Sequence, residues 1–180
     1  MSRLFPLRHA MEKKTKTSRI RKILVPTDFS PHSDYALDYA ATLAKQLGAK
    51  IVLLHVIDSM SYSVTDTFTV IEHRRALETT ARTLLNNLRQ DLVEKGLSVT
   101  THLATGAPYH EILKKSRQEK VDLIAMGTHG RTGVQHLLLG SVAEKVGRLS
   151  TCPVLTVPIS SGRRTKTASK SAGKSPVTLY

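Results

Sequence analysis

"RKILVPTDFSPHSDYALDYAATLAKQLGAKIVLLHVID", residues 21–58, is the stretch on which the fold turns. It opens on a short branched apolar run ended by Pro26, which reads as a strand buried in a sheet. The period then changes. Ser30 is placed to cap a helix, Pro31 fits its first turn, and Gly48 stops it. Between them Ala36, Leu37, Ala40, Ala41, Leu43, Ala44 and Leu47 recur at helical spacing, and Tyr35 and Tyr39, four apart, read as helix packing. "AKIVLLHVID" (49–58) is apolar without alternation, as expected of a strand covered on both faces of a parallel sheet.

The same alternation continues along the chain. Residues 59–71 are Ser/Thr-rich without a period and read as a surface loop. A long helix is expected from Glu72 to Lys95, with Ala76, Leu84, Leu85, Leu88 and Leu92 on its apolar side and Gly96 as its stop. Strands follow at 97–106, 121–127 and 152–158, and helices at 107–120, opened by Pro108, and at 141–150. Such alternation implies one α/β domain, a parallel sheet with right-handed crossovers and helices on both faces. Ligands of that architecture sit beyond the carboxyl ends of the strands. Two stretches fall there: "PTDFS" (26–30) and "MGTHGRTGVQHLLLGSVAEKV" (126–146).

Composition agrees with helices packed on a sheet. The 180 residues are 40% hydrophobic but only 4% aromatic, so the core is built from Leu, Val, Ile and Ala. The formal charge of +13 lies at the two ends. Residues 1–22 hold eight Lys or Arg against Glu12, residues 160–180 hold five and no acid, and 23–159 hold 14 basic and 13 acidic residues. The expected division is therefore a basic, flexible extension over 1–19, a nearly neutral domain over 20–159 and a basic, disordered tail over 160–180. A neutral domain argues against specific nucleic-acid binding as the main function. The sole cysteine, Cys152, cannot form an internal disulfide and reads as a small buried thiol, which suits a cytoplasmic location. No apolar run approaches the ~18 residues of a spanning helix, so no membrane role is expected.

The glycine stretch is neither a P-loop, since no Lys follows its last glycine, nor a G-x-G-x-x-G fingerprint. Glycine there admits a phosphate close to the backbone or supplies a positive φ, and the first amides of the helix beginning at Ser141 sit at the positive end of its dipole. Ser141 and Glu144 equally spell an S-x-x-E capping box, which needs no ligand. The residues by themselves leave both readings open.

"KILVPTDFSPHSDYALDYAATLA", "IVLLHVID", "GAPYHEIL" and "VDLIAMGTHGRTGVQHLLLGSVAEKVGRLSTCPVLTVP" together resemble the universal stress protein family over about residues 20–159. Gly127, Gly130, Gly140 and Ser141 match the G-x2-G-x9-G-[S/T] pattern of its ATP-binding branch without departure. The resemblance implies a single Rossmann-like domain with five parallel strands in the order 3-2-1-4-5. It implies ATP as ligand, with Mg²⁺, and assigns it residue by residue. Asp28, with Pro26 and Thr27 beside it, would face the ribose or a phosphate-bound metal. Val56 would meet the adenine through its backbone, and Met126 and Gly127 would lie along the nucleoside. Gly130, Gly140, Ser141 and Val142 would surround the phosphates, with His129 and Arg131 in the loop between. A homodimer through the last strand (152–158) is also implied.

The plainer readings are specific too. Asp28 also suits a cap at the turn into the first helix, and His55, inside a strand, suits a hydrogen-bonded core residue. His129 has no carboxylate placed by sequence to make it a base, and His110 and His136 lack metal-ligand partners at recognisable spacing. The function expected is an ATP-dependent stress-response module that acts on a protein partner. The alternatives are a slow ATP hydrolase, opposed by the missing P-loop Lys and base, and a member acting through protein contacts without nucleotide, opposed by the intact glycine pattern.

Overall fold

The computed structural model describes residues 19–58, 67–130 and 139–159. Nine elements alternate along them: β1 (Lys22–Thr27), α1 (Pro31–Leu47), β2 (Lys50–Asp58), α2 (Thr67–Glu94), β3 (Val99–Gly106), α3 (Pro108–Glu119), β4 (Leu123–Gly127), α4 (Ser141–Leu149) and β5 (Val154–Val157). The strands form one parallel sheet in the order β3-β2-β1-β4-β5, as expected.

The pleat sorts the core into two layers. Ile23, Val25, Ile51, Leu53 and Ala125 meet Leu37, Ala40 and Ala44 of α1 and Leu85 and Leu92 of α2 on one face. Leu24, Val52, Leu54, Ile124 and Met126 meet Ile112 and Leu113 of α3 and Ala143 and Val146 of α4 on the other. Six of the strand residues, Ile23, Leu24, Ile51, Leu53, Leu54 and Ile124, are wholly enclosed. Each contributes about 2 kcal/mol of apolar burial. Because α1 and α2 carry the chain outward on one side of β1, and α3 and α4 carry it outward on the other, the direction of winding reverses between β1 and β4. β2 runs three residues past the end of its pairing with β1, which stops at Thr27↔His55, so the sheet opens toward a crevice at this pole.

Helix α1 is built as its sequence suggests. Ser30 accepts the Ser33 amide at 3.3 Å, Pro31 leads the first turn, and Gly48, at φ 65°, closes the helix by donating to the Ala44 carbonyl. Tyr39 is not packed, however, and leaves half its surface in solvent. α2 starts at Thr67, so the Ser/Thr-rich segment ends before residue 67 and not at 71. Its buried line is Ala81, Leu85 and Leu92, with Leu88 beside it. Ala76 and Leu84 are exposed, being one helical position off that line. No helix among the described residues is long and apolar enough to cross a membrane.

Candidate functional site

The turn from β1 into α1 is held by a directed chain of hydroxyls. The Phe29 amide donates to Thr27 Oγ1 (3.0 Å), and Ser33 Oγ donates to the Ser30 carbonyl (2.9 Å). Ser33 has a single hydroxyl proton, so across the 3.1 Å contact between them Thr27 is the donor. The Thr27 side chain, 5% exposed, is therefore committed to the turn, and its carbonyl accepts from His55 Nδ1 at 2.8 Å. A carbonyl only accepts, so His55 carries its proton on Nδ1. Its ring lies 4.4 Å from that of Phe29. His55 is thus the hydrogen-bonded interior residue that its strand position suggests.

Phe29 itself sits at φ 61°, a left-handed conformation that costs a bulky residue about 1–3 kcal/mol. It allows Asp28 to turn its carboxylate back on the chain, where Oδ1 accepts from the Ser30 amide (3.1 Å) and the Ser30 hydroxyl (2.6 Å). Asp28 therefore does organise the turn, although the cap of α1 is Ser30.

The glycine loop after β4 meets this turn. A Cβ at Gly130 would stand 2.8 Å from Asp28 Oδ2. One at Gly127 would stand 2.9 Å from the His32 carbonyl oxygen in the first turn of α1. One at Gly140 would stand 3.0 Å from the Thr128 carbonyl oxygen, which also accepts the Gly140 amide at 2.7 Å. None of the three has a positive φ; close approach of neighbouring atoms, not turn conformation, excludes larger residues. The sequence pattern reads them as room for phosphate, whereas each already has a partner inside the protein.

The capping box is not formed. Gly140 is the N-cap of α4, Ser141 is its first helical residue and exposed, and no side chain caps the helix. Glu144 instead turns to Arg148, 3.6 Å away. The opening amides of α4 after Gly140 accordingly have neither an intrahelical acceptor nor a side-chain cap.

The remaining expected residues divide. Val56 and Val142, like Leu139, Ala104 and Tyr109, are partly buried against the α3/α4 layer of the core. Met126 is 6% exposed, its side chain belongs to that layer's core, and it pairs in register with Thr156 of β5. Pro26 pairs in register with Leu54. His129 is half-buried, joined to Thr128 Oγ1 at 3.0 Å, with its ring edge-on to that of His32 at 5.7 Å. Arg131, His136 and the span 132–138 lie outside the described residues. His32 was not singled out by sequence, although "PHSD" sets it four residues after Asp28, on the first turn facing the crevice loop. Thr128, whose carbonyl ties the loop to Gly140, carries no sequence signal at all.

The field at the start of α1 is negative. Asp34 is exposed overall, yet partial burial first, and then Asp38 and Asp28, hold its carboxyl above the usual carboxylate value. An anion would meet these carboxylates only with a cation between them. Among the described residues no group of three His, Cys, Asp or Glu could hold a metal by itself. His110 pairs with Glu111 at 3.1 Å on the exposed start of α3. Cys152 is half-buried beside Ser150, whose hydroxyl donates to the Cys152 carbonyl at 2.7 Å.

Comparison with known proteins sets this geometry in a family. The universal stress protein family profile matches residues 19–158, the whole of the described domain. The chain belongs to the universal stress protein family. It is 39% identical over 144 residues to the universal stress protein YxiE of Bacillus subtilis, covering 76% of this chain and 97% of that one. It is 34% identical over 152 residues to the universal stress protein MJ0577 of Methanocaldococcus jannaschii, covering 76% and 94%. The solved structure of MJ0577 superposes with a TM-score of 0.72 at 36% identity over 78% of this chain and 96% of that one. A more distant universal stress protein, solved in complex with cAMP, shares the fold with a TM-score of 0.61 at 24% identity, over 79% of this chain and all of its own.

Proposed function

We propose that this universal stress protein binds ATP, together with Mg²⁺, in the crevice between the ends of β1 and β4. In this reading it serves as a nucleotide-dependent module of the cytoplasmic stress response. The observation that carries the reading is the meeting of Asp28 with the glycine loop. A carboxylate, a bare backbone at Gly130 and the uncapped start of α4 converge on one pole of the sheet. The α4 amides and the Ser141 hydroxyl offer donors and positive dipole to phosphate oxygens. Val56, Val142 and Leu139 offer an apolar wall to the nucleoside. Asp28 is the residue that would hold Mg²⁺, an ion usually bound by one or two carboxylates with the rest of its shell from phosphate and water. Bound there, the ion would neutralise phosphate charge beside Asp28 and Asp34.

The chain's own residues supply binding and orientation. With the Thr27 hydroxyl spent on the turn, Thr27 shapes the site without offering a side-chain contact. Slow hydrolysis stays the alternative, opposed by the missing P-loop Lys. Homodimerisation through β5 belongs to the same proposal. β5 is an edge strand, and Leu149 and Ile159 on either side of it are 52% and 40% exposed.

The decisive experiment denatures protein purified without added nucleotide and analyses the supernatant. ATP supports the module, ADP favours the hydrolase, and no nucleotide together with no heat on titration with Mg-ATP refutes both. Asp28→Ala should lower Mg-ATP affinity on the order of tenfold or more while the far-ultraviolet spectrum is kept. Equal affinity would remove Asp28 from the site.

A further inference from the structure

We infer that Ser30 is the positioning residue of this site: its hydroxyl clamps the Asp28 carboxylate against the bare backbone of Gly130. The same oxygen performs two tasks. It accepts the Ser33 amide at 3.3 Å and so caps α1, and it donates its proton to Asp28 Oδ1 at 2.6 Å. The Ser30 amide donates to that same carboxylate oxygen at 3.1 Å. Ser30 is 7% exposed, so neither bond competes with bulk water.

The two tasks restrict the residue. Asp, Asn, Ser and Thr all serve as N-caps, but an ionised Asp has no proton to donate. Only a hydroxyl residue accepts from the helix and donates to a carboxylate two positions back through one atom.

The clamp also explains why position 130 is glycine. The atom that a Cβ would meet, Asp28 Oδ2 at 2.8 Å, ends a side chain that could ordinarily swing aside. Here its partner oxygen is fixed by two donors from Ser30, so the carboxylate holds its ground. Ser30, Asp28 and Gly130 therefore form one unit, in which the helix cap sets the direction of the carboxylate and the carboxylate forbids a side chain on the loop.

The consequence for ligand binding rests on the Mg-ATP reading above, whereas the clamp itself does not. Four single variants and one double variant separate them. Ser30→Thr should bind Mg-ATP within about twofold of the parent, and Ser30→Asp should keep the helix cap, at some thermal cost from a second carboxylate beside Asp28, while losing ten- to hundredfold in affinity. Ser30→Ala should lose both. Without nucleotide, Gly130→Ala should lower the thermal midpoint in the parent, and by less in Ser30→Ala, where the carboxylate loses the hydroxyl and keeps the Ser30 amide.

Full Mg-ATP affinity in a well-folded Ser30→Asp, or equal cost of Gly130→Ala in both backgrounds, would overturn the inference. If the parent protein binds no Mg-ATP, the nucleotide reading fails and the thermal cycle alone still decides the clamp.

Discussion

The two poles of the sheet are held together by different chemistry. At the amino pole, where the strands begin, charges pair with charges. Asp122 Oδ2 accepts the amides of Arg21 and Lys22 at 2.8 and 3.0 Å and seals the start of the β1–β4 seam. Lys22 Nζ reaches Glu119 Oε2 at 3.2 Å and its carbonyl at 2.7 Å, and Glu119 also meets His102 Nε2 at 3.3 Å. At the carboxyl pole, β1 and β4 are joined by hydroxyls, carbonyls and glycines, with a strained Phe29 and an uncapped helix start. The amino pole satisfies its groups with one another; the carboxyl pole packs backbone tightly and leaves the opening amides of α4 without a side-chain partner. That contrast, more than any single motif, supports the carboxyl pole as the proposed binding end of the sheet.

Substitutions at the two poles sharpen the comparison. The largest effect belongs to Gly127→Val, whose side chain would drive into the His32 backbone. It should cost about 2–3 kcal/mol and lower the thermal midpoint by roughly 5–10 °C. A midpoint within a degree of the parent would mean that the loop yields easily. Next, Asp122→Ala leaves two strand amides without their acceptor and should cost about 1–2 kcal/mol in urea unfolding. Mg-ATP affinity should not change, and a parallel loss of binding would break the separation of the poles.

A smaller effect is expected from pH. Burial first, and then Lys115 and Lys22, hold His102 below its ordinary 6.5, although Glu119 pulls the other way. The 3.3 Å contact with Glu119 is thus a hydrogen bond to a neutral ring near pH 7 and not an ion pair. Because the unfolded chain takes up the proton first, stability falls as the pH drops below about 7. His102→Gln should flatten the urea midpoint between pH 7 and 5. Glu119 is held below 4.5, chiefly by its hydrogen bond from Lys22 and against the opposing effect of burial. Its own contribution is present above 4.5 and disappears only in more acid solution, but Glu119→Gln also removes the charge that raises His102, so the fall in stability between pH 7 and 5 should become steeper.

The smallest effect on stability is that of Ser141→Ala. Since Gly140 caps α4, removing the hydroxyl should change unfolding by less than about 0.5 kcal/mol, whereas a true capping box would cost up to about 2 kcal/mol. A weakened Mg-ATP affinity in that stable variant would tie Ser141 to the ligand.

Much of this was legible in the chain. The continuous apolar runs of β1, β2 and β4 and the capped, stopped period of α1 announce a parallel sheet with crossover helices, because burial on both faces leaves no room for alternation. The approach of "PTDFS" to the glycine loop follows from that winding. The apolar side of α2 was only half legible, since a long exposed helix carries stray leucines such as Leu84 that no period distinguishes from buried ones. The capping box was misleading, as S-x-x-E records residue types and not which residue adopts the extended conformation of a cap.

Sequence by itself determined the order of the elements, the family and the set of residues gathered at one pole, because hydrophobic period and glycine spacing are local properties of the chain. What each of those residues does was decided by tertiary structure alone. Gly127, Gly130 and Gly140 are small because the His32 carbonyl, the Asp28 carboxylate and the Thr128 carbonyl stand within about 3 Å of where a Cβ would be. Ser30 matters beyond its helix because its oxygen is shared between a cap and a carboxylate. The contacts at Gly127 and Gly130 join atoms distant in the chain, and no pattern of residue types encodes the distance between them; those of Ser30 lie only two and three residues away, and the left-handed turn at Phe29 sets their geometry.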